Sequence, residues 1–212
     1  MDKHIVVLGI GNVLWADEGF GVRCVEALQQ RWDFAPHVSL VDGGTQGLYL
    51  VQHVQAAKKL LIFDAIDYGL APGTLKLIEN EDVPRFMGAK KMSLHQTGFQ
   101  EVLSLAQLTE QYPEQVLLIG CQPEELEDFG GSLRPSVKLA LEDALALGVE
   151  RLRGWGAEPR PRLAPPGEDD VVTVPTLALG HYEAGRPAAE QACRVGDERF
   201  MPPAHWKAAS CA

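Results

Sequence analysis

Two carboxylates and one imidazole stand where predicted strands end, and together they have the chemistry of a metal site. Glu18 lies in the loop after the first predicted strand, Asp64 ends the third, and His95 follows the fourth. Oxygen and imidazole ligands suit a borderline divalent ion such as nickel, zinc or manganese. Three side-chain ligands would leave coordination positions open for another molecule to fill. The spacing alone is a weak signal, because the three residues are far apart in the chain.

Five short apolar runs predict the strands that would position these residues. The runs are rich in β-branched residues, as expected for strands buried on both faces: His4–Gly9, Val38–Asp42, Lys59–Asp64, Thr74–Glu79 and Val116–Gly120. Helical periodicity lies between several of them, over Phe20–Leu28, Phe99–Ala106 and Val137–Leu145. This alternation predicts a three-layer α/β sandwich, a mostly parallel sheet with helices on both faces. In such a sheet, ligands bind outside the carboxyl ends of the strands, which places the three candidates on one edge.

Each candidate residue could instead serve only to stabilise the fold. Asp17 and Glu18 would cap the first helix and complement its dipole. Asp64 would satisfy loop amides at a strand end, and His95 would bond to backbone at a helix start. Asp42, which two glycines follow, is the kind of residue that stabilises a turn. For any one of these residues considered alone, a structural role is favoured over a metal-binding role. For Glu18, Asp64 and His95 considered together, their expected position at one edge of the sheet favours a metal site.

Several other activities are disfavoured by the sequence. Gly9-x-Gly11-x-x-Leu14 lacks the third glycine of a dinucleotide-binding loop, and the carboxylates of Asp17 and Glu18 would repel a pyrophosphate. The chain contains no H-E-x-x-H, G-x-S-x-G or Walker A sequence. With 19 basic and 29 acidic residues, the formal net charge is −10, which argues against nucleic acid as a partner. A neutral or cationic partner, or a metal, is expected.

Composition divides the chain into a main domain, residues 1–153, and an extension, residues 154–212. The acidic excess lies in the main domain, whereas the extension is rich in proline, including the run Pro159–Pro166. We expect the extension to be loosely ordered or docked, with a short strand at Val171–Val174 and a slight preference for contact with a partner. Four scattered cysteines favour reduced thiols, and no apolar run approaches the length of a membrane helix, so the prediction is a cytoplasmic protein.

Four blocks of sequence resemble, in the same order, the motifs of the nickel–iron hydrogenase maturation endopeptidases. The opening block is Gly9-Ile10-Gly11-Asn12-x-Leu14-x-x-Asp17-Glu18-Gly19-x-Gly21. The later blocks are Asp42-Gly43-Gly44-Thr45, Asp64-Ala65 and His95-Gln96-x-Gly98. Their order and their strand–loop context make the resemblance specific, and it covers roughly residues 4–150.

The resemblance implies a twisted five-stranded sheet and a proteolytic activity. Proteins of this family remove a short C-terminal extension from the precursor of the hydrogenase large subunit, after nickel has been inserted. The metal-binding Glu, Asp and His of the family correspond to Glu18, Asp64 and His95, and the substrate would supply the nickel, which is absent from the free enzyme or replaced there by another divalent ion. Asp17 and the block Asp42-Gly43-Gly44-Thr45 are candidates for substrate contact. No separate nucleophile is identified, so the three ligands are expected to act in catalysis through the metal.

Two alternatives from other classes remain open at this point. One is a metal-responsive chaperone that holds a nickel-loaded partner without hydrolysing it, and the other is a small-molecule hydrolase. Because the candidate residues are expected to be exposed at the edge of the sheet, their substitution should leave the fold nearly intact. The acidic run Glu124–Asp128 is expected to be a solvated face.

Overall fold

The computed structural model describes residues 5–87, 94–167 and 170–187, and within these ranges the side chains of 85–87 and 94–97 are not described. The strands are β1 (Ile5–Ile10), β2 (Trp32–Asp33), β3 (Val38–Gly44), β4 (Lys59–Ala65), β5 (Leu75–Glu79), β6 (Gln115–Cys121) and β7 (Arg160–Pro161). The helices are α1 (Phe20–Arg31), α2 (Val51–Ala56), α3 (Asp82–Met87), α4 (Leu94–Leu108), α5 (Pro135–Gly154) and α6 (Leu179–Ala184). No helix of the described ranges is both long and apolar enough to cross a membrane.

The main sheet has five strands in the order β3-β1-β4-β6-β5. Every neighbouring pair is parallel except β5 with β6, which is antiparallel. The predicted five-stranded, mostly parallel sheet is confirmed, and each strand begins and ends within two residues of its prediction. Gly9 pairs with both Asp42 and Phe63, so the carboxyl ends of β1, β3 and β4 lie level at one edge.

Helices cover both faces of this sheet, which confirms the three-layer sandwich. Leu61 and Phe63 of β4 belong to the core that α1 and α5 close, whereas Leu60 and Ile62 belong to the core that α4 closes with α2 and α3. Adjacent strand residues point to opposite faces, so β4 supplies both cores. Fully burying one such side chain contributes about 1.5–3 kcal/mol, which fixes the register of the buried strand.

Helix α5 ends at Gly154, the first residue of the extension as the composition defines it. The extension then returns to the domain, where β7 pairs with β2 in a small antiparallel sheet. The prediction of a short strand at Val171–Val174 is wrong, because these residues form no strand in the structure. The backbone N–H of Val172 instead donates to the side chain of Gln29 on α1, at 2.8 Å, so this group bonds to a helix rather than to a neighbouring strand.

The described part of the extension is docked on α1. Arg23, which is almost fully buried, donates to the carbonyl of Leu177 at 2.5 Å and pairs with Glu26 at 2.8 Å. Glu26 also accepts from the backbone N–H of Leu179 at 2.8 Å, and the guanidinium of Arg23 lies 5.5 Å from the centre of the Tyr182 ring. A buried arginine needs such partners, so this contact is part of the fold.

A second contact joins α6 to the start of α5 and the loop before it, on the same face of the sheet as α1. Glu183 accepts from Ser132 at 2.5 Å and from the ammonium of Lys138. Burial alone would raise the pKa of Glu183, but the hydrogen bonds from Lys138 and Ser132 outweigh it and hold that pKa below its ordinary value. The charged form of Glu183 therefore favours the docked extension.

Candidate functional site

The loop after β1 folds back tightly against the ends of β1 and β4. Gly11 has φ +133°, and a Cβ added to it would lie 1.8 Å from the carbonyl oxygen of Glu18. A Cβ added to Gly21 would lie 2.1 Å from the carbonyl oxygen of Phe63. Only glycine permits such close backbone approaches. The loop thereby carries Glu18, which is half-buried, to the carboxyl edge of the sheet beside the end of β4.

Asp64 is the second-last residue of β4 and lies opposite Gly120 of β6. Alternation along the strand continues the row of Leu60 and Ile62, which places Asp64 on the face that α4 covers. Its exposed fraction is 0%, so the expectation that Asp64 is exposed is wrong. The strand ends beneath the loops rather than in solvent, and a buried carboxylate requires compensating partners.

His95 lies in the first turn of α4, and its side chain is outside the part of the chain that the structure describes. The start of α4 is nevertheless placed at the same edge. A Cβ added to Gly98 would lie 3.3 Å from the Cα of Gly47, in the 3₁₀ turn (Gly47–Leu50) that follows β3. The backbone therefore brings the elements carrying Glu18, Asp64 and His95 to one edge. Among the side chains that are described, no three of His, Cys, Asp or Glu form a metal site, so convergence on one ion stays a prediction.

Asp17 has a different role from the one expected of a helix cap. Its side chain is fully buried and accepts three backbone N–H groups: from Glu124 at 2.8 Å, from Glu125 at 2.9 Å and from Arg134 at 2.7 Å. Neither the 3₁₀ turn Ala16–Gly19 nor α1 has a side-chain cap hydrogen bond, so the capping interpretation is wrong for Asp17. Its carboxylate joins the loop after β1 to the loop after β6, and its burial leaves no surface for a substrate.

The predicted solvated run Glu124–Asp128 belongs to that second loop and is only partly solvated. Glu124 and Glu127 are exposed, but Asp128 is buried and pairs with Arg134 at 2.9 Å. The backbone of the run is held by Asp17, as described above. The run therefore combines an acidic outer surface with a structural attachment to the first loop.

Asp42 is the turn-stabilising residue that its sequence context indicates. Its carboxylate accepts a hydrogen bond from the backbone N–H of Gly44 and another from the hydroxyl of Thr173 in the extension, at 3.2 Å. Burial raises the pKa of Asp42, and these two hydrogen bonds oppose that rise. Asp42 is in register with Phe63 through Gly9, so it faces α1, on the opposite side of the sheet from Asp64.

The rest of the Asp42–Thr45 block divides between core and surface. Gly43 is buried, and a Cβ added to it would lie 2.8 Å from a methyl group of Leu8. Thr45 is exposed, so its side chain is the accessible part of this block. The structure thus leaves Thr45 available for the predicted substrate contact, which stays a prediction.

The described cysteines do not supply a nucleophile. Cys24 and Cys121 are buried free thiols. Burial raises the pKa of Cys24 well above its ordinary value and raises the pKa of Cys121 to about 12. Because the thiolate is the reactive form, neither thiol is activated near neutral pH.

Tyr68 and Gln122 lie at the site but carry no signal in the sequence. The side-chain oxygen of Gln122 accepts from the backbone N–H of Tyr68 at 2.7 Å and of Leu70 at 3.1 Å, while its amide nitrogen donates to Asp67 at 3.1 Å. Burial raises the pKa of the Tyr68 phenol, and the negative charge of Asp64 raises it further. The phenol is therefore a neutral donor close to Asp64. No motif or period marks either residue, because their proximity arises from packing.

Comparison with known proteins gives a consistent result. A family model described as hydrogenase maturation protease (HycI) matches residues 22–151. The chain is 71% identical to the hydrogenase expression/formation protein HoxM of Cupriavidus necator over 198 residues, 93% of this chain and 98% of that protein. It is 42% identical to the hydrogenase 2 maturation protease of Escherichia coli over 162 residues, 76% of this chain and 98% of that protein. Among solved structures, the hydrogenase maturating endopeptidase HybD from E. coli matches with a TM-score of 0.71 and 41% identity, covering 75% of this chain and 98% of that one.

Proposed function

The chain belongs to the hydrogenase maturation protease family, and on that premise we propose that it cleaves the C-terminal extension from a nickel-loaded precursor of a hydrogenase large subunit. It is a hydrolase, an endopeptidase, like the structural neighbours of its family. This membership disfavours the chaperone and small-molecule hydrolase readings of the sequence. The observation that carries the proposal is the placement of the elements bearing Glu18, Asp64 and His95 at one edge of the sheet.

Nickel in the precursor would act as the recognition element. Glu18, Asp64 and His95 offer an incomplete set of oxygen and nitrogen ligands, and the ion in the precursor would complete the contact. A precursor without nickel would have to order its flexible C-terminal segment without that bond, which lowers its affinity. A bound ion can also polarise the scissile carbonyl or activate a water molecule. Cleavage would then follow metal insertion.

The same edge provides a surface for an extended peptide. Phe129 and Leu14, in the loops after β6 and β1, are exposed by 49% and 37%. Trp15 packs edge-on against Phe129 with ring centroids 5.3 Å apart, and the N–H of Gly130 donates to the carbonyl of Leu14 at 2.7 Å, so the two loops form one surface. This apolar surface adjoins Glu18 and the exposed acidic side chains of the loop after β6. We infer that it binds apolar and basic side chains of the precursor.

We also infer that processing takes place in the cytoplasm. The two described cysteines are buried and reduced rather than joined in a disulfide, which fits a reducing compartment. Accessory proteins that insert nickel would act on the precursor before this enzyme does.

The proposal is tested by incubating the purified chain with its precursor, with and without nickel, and measuring the mass of the product. We expect cleavage of the nickel-loaded precursor alone. Glu18→Gln, Asp64→Asn and His95→Ala should each abolish or greatly reduce cleavage. Glu114→Gln, which changes an exposed carboxylate just before β6 at the opposite edge of the sheet, should not. Equal cleavage of both precursors would contradict nickel recognition, and full activity of the three variants would contradict the assigned site.

A further inference from the structure

We propose that the extension carries a second binding surface for the precursor, separate from the candidate ligands. The surface is the extension turn, residues 174–177, together with the cleft between this turn and α1. The inference rests on the proposed function, because the partner is the folded part of the same large-subunit precursor. A contact away from the cleaved bond would decide which precursors the enzyme accepts.

The extension turn lies beside the carboxyl edge of the main sheet. Thr173, which precedes it, is 5% exposed and donates to the carboxylate of Asp42 near the end of β3. After the turn, the hydroxyl of Tyr182 on α6 donates to the carbonyl of Gly131, at 3.3 Å, in the loop that carries Phe129. The segment therefore runs along the face of α1 from the end of β3 to the loop after β6. A precursor bound at the edge of the sheet would lie next to it.

The turn is exposed although both of its ends are fixed. Val174 is 58% exposed, and the two residues that follow it are exposed as well. Thr173 fixes one end through its bond to β3, and the carbonyl of Leu177 fixes the other by accepting from the buried side chain of Arg23. A surface that is already ordered loses little conformational entropy when a partner binds. The exposed valine is therefore presented in a form suited to binding.

The cleft gives this surface a concave part. It has a volume of about 380 Å³, and its lining includes Pro165, Pro166, Val171 and Pro175. Glu26 also lines it, but the carboxylate of Glu26 pairs with the guanidinium of a buried arginine at 2.8 Å. This charge is compensated within the protein and does not require a basic partner. The cleft therefore suits an apolar side chain of the precursor.

The extension is not a general requirement for cleavage in this family. HoxM and the E. coli protease are each matched over 98% of their own length, yet they cover 93% and 76% of this chain. The family model ends at residue 151 and does not include the extension. A maturation protease thus exists without a large part of this chain. This favours a role for the extension in binding a particular precursor rather than in the chemical step.

The test is Val174→Asp, with Leu163→Asp as the control. Residue 174 is the N-cap of the 3₁₀ turn Pro175–Leu177, a position that aspartate favours, so the variant should keep the turn. Leu163 is 100% exposed and belongs to the same extension, but it follows β7, which pairs with β2 at the end of α1 and at the opposite edge of the sheet. Both variants add one negative charge. For each, kcat and KM are measured with the nickel-loaded precursor, and the melting temperature is measured by calorimetry.

We expect Val174→Asp to raise KM by about 10-fold or more with kcat unchanged, because burial of a valine side chain in an interface contributes about that factor in affinity. Leu163→Asp should change neither quantity, and both variants should keep the melting temperature of the unsubstituted protein. An unchanged KM in Val174→Asp would overturn the inference. An equal rise of KM in the two variants would overturn it too, because that pattern reflects the added charge and not the position.

A direct measurement of contact distinguishes this inference from the proposed function. A photoreactive amino acid in place of Val174 should crosslink to the precursor, whereas the same amino acid in place of Leu163 should not. Cleavage of the precursor without a crosslink from residue 174 would refute the inference and leave the proposed function standing. A crosslink from residue 174 without any cleavage by the unsubstituted protein would refute the proposed function and retain the precursor as the partner of the extension turn.

Discussion

Asp17→Asn should destabilise the protein far more than the loss of a helix cap would. The substitution replaces a buried carboxylate that accepts three backbone N–H groups by an amide with one acceptor oxygen. If the amide oxygen takes the place of Oδ2, it keeps the bonds from Glu124 and Glu125. The amide NH₂ then faces the N–H of Arg134, so one buried bond is lost and two donors oppose each other.

The magnitude follows from these contacts. A hydrogen bond to a charged group contributes about 1.5–3 kcal/mol, and a buried donor left unsatisfied costs about 1–3 kcal/mol. Because Asp17 is fully buried, no solvent screening reduces these values. The free energy of unfolding should therefore fall by about 2–4 kcal/mol, against about 1 kcal/mol or less for a cap.

The assay is urea unfolding followed by circular dichroism, with Asp143→Asn as the control. Asp143 lies on the exposed face of α5, so its substitution should change the free energy of unfolding by no more than about 0.5 kcal/mol. Hydrogen exchange should also show faster exchange of the Arg134 amide in Asp17→Asn. A loss below about 1 kcal/mol, with that amide still protected, would refute the bridging role of Asp17.

Three further predictions concern the docked extension and the first loop. Because the pKa of Glu183 is lowered in the folded state, its charge stabilises the docking of α6 above a pH of about 4.3. The hydrogen-exchange protection factors of α6 should therefore decrease as the pH falls below that value, and Glu183→Gln should remove this dependence. Gly21→Ala forces a Cβ against a strand carbonyl and should lower the free energy of unfolding by about 3 kcal/mol in urea, whereas Gly154→Ala, which meets no atom within 4 Å, should not lower it. Deletion from Pro159 onward should lower the melting temperature, measured by calorimetry, and should weaken binding of the precursor. A lower melting temperature with unchanged binding would show that the extension stabilises the fold but does not contact the precursor.

Local patterns in the sequence were sufficient to predict the sheet and to assign the candidate residues to the ends of its strands. The runs Leu60–Phe63 and Val116–Ile119 are continuously apolar because those strands are buried on both faces, so their burial can be read from the residues themselves. Pro135 begins α5, as expected for a residue suited to the first helical turn. Glycines at fixed positions in the first loop likewise mark close backbone approaches that no other residue tolerates.

The sequence did not show which side chains these elements bring into contact. Asp17 and Glu18 are adjacent in the chain, yet the first is enclosed by a loop that begins more than 100 residues later, and the second remains half-buried at the edge. Asp42 and Asp64 both lie near the carboxyl ends of their strands, but the pleat directs them to opposite faces of the sheet.

Sequence by itself therefore determined the five strands, the helices α1, α4 and α5, and the positions of the candidate ligands along these elements. Tertiary structure alone decided that Asp17 joins two loops, that Thr173 of the extension reaches Asp42, and that the phenol of Tyr68 fills the space over Gly120. The physical reason is that hydrophobic periodicity reflects the burial of each segment and is local. Contacts between polar side chains depend on how segments that are distant in the chain pack together. Such contacts produce no periodic pattern in the sequence of either segment.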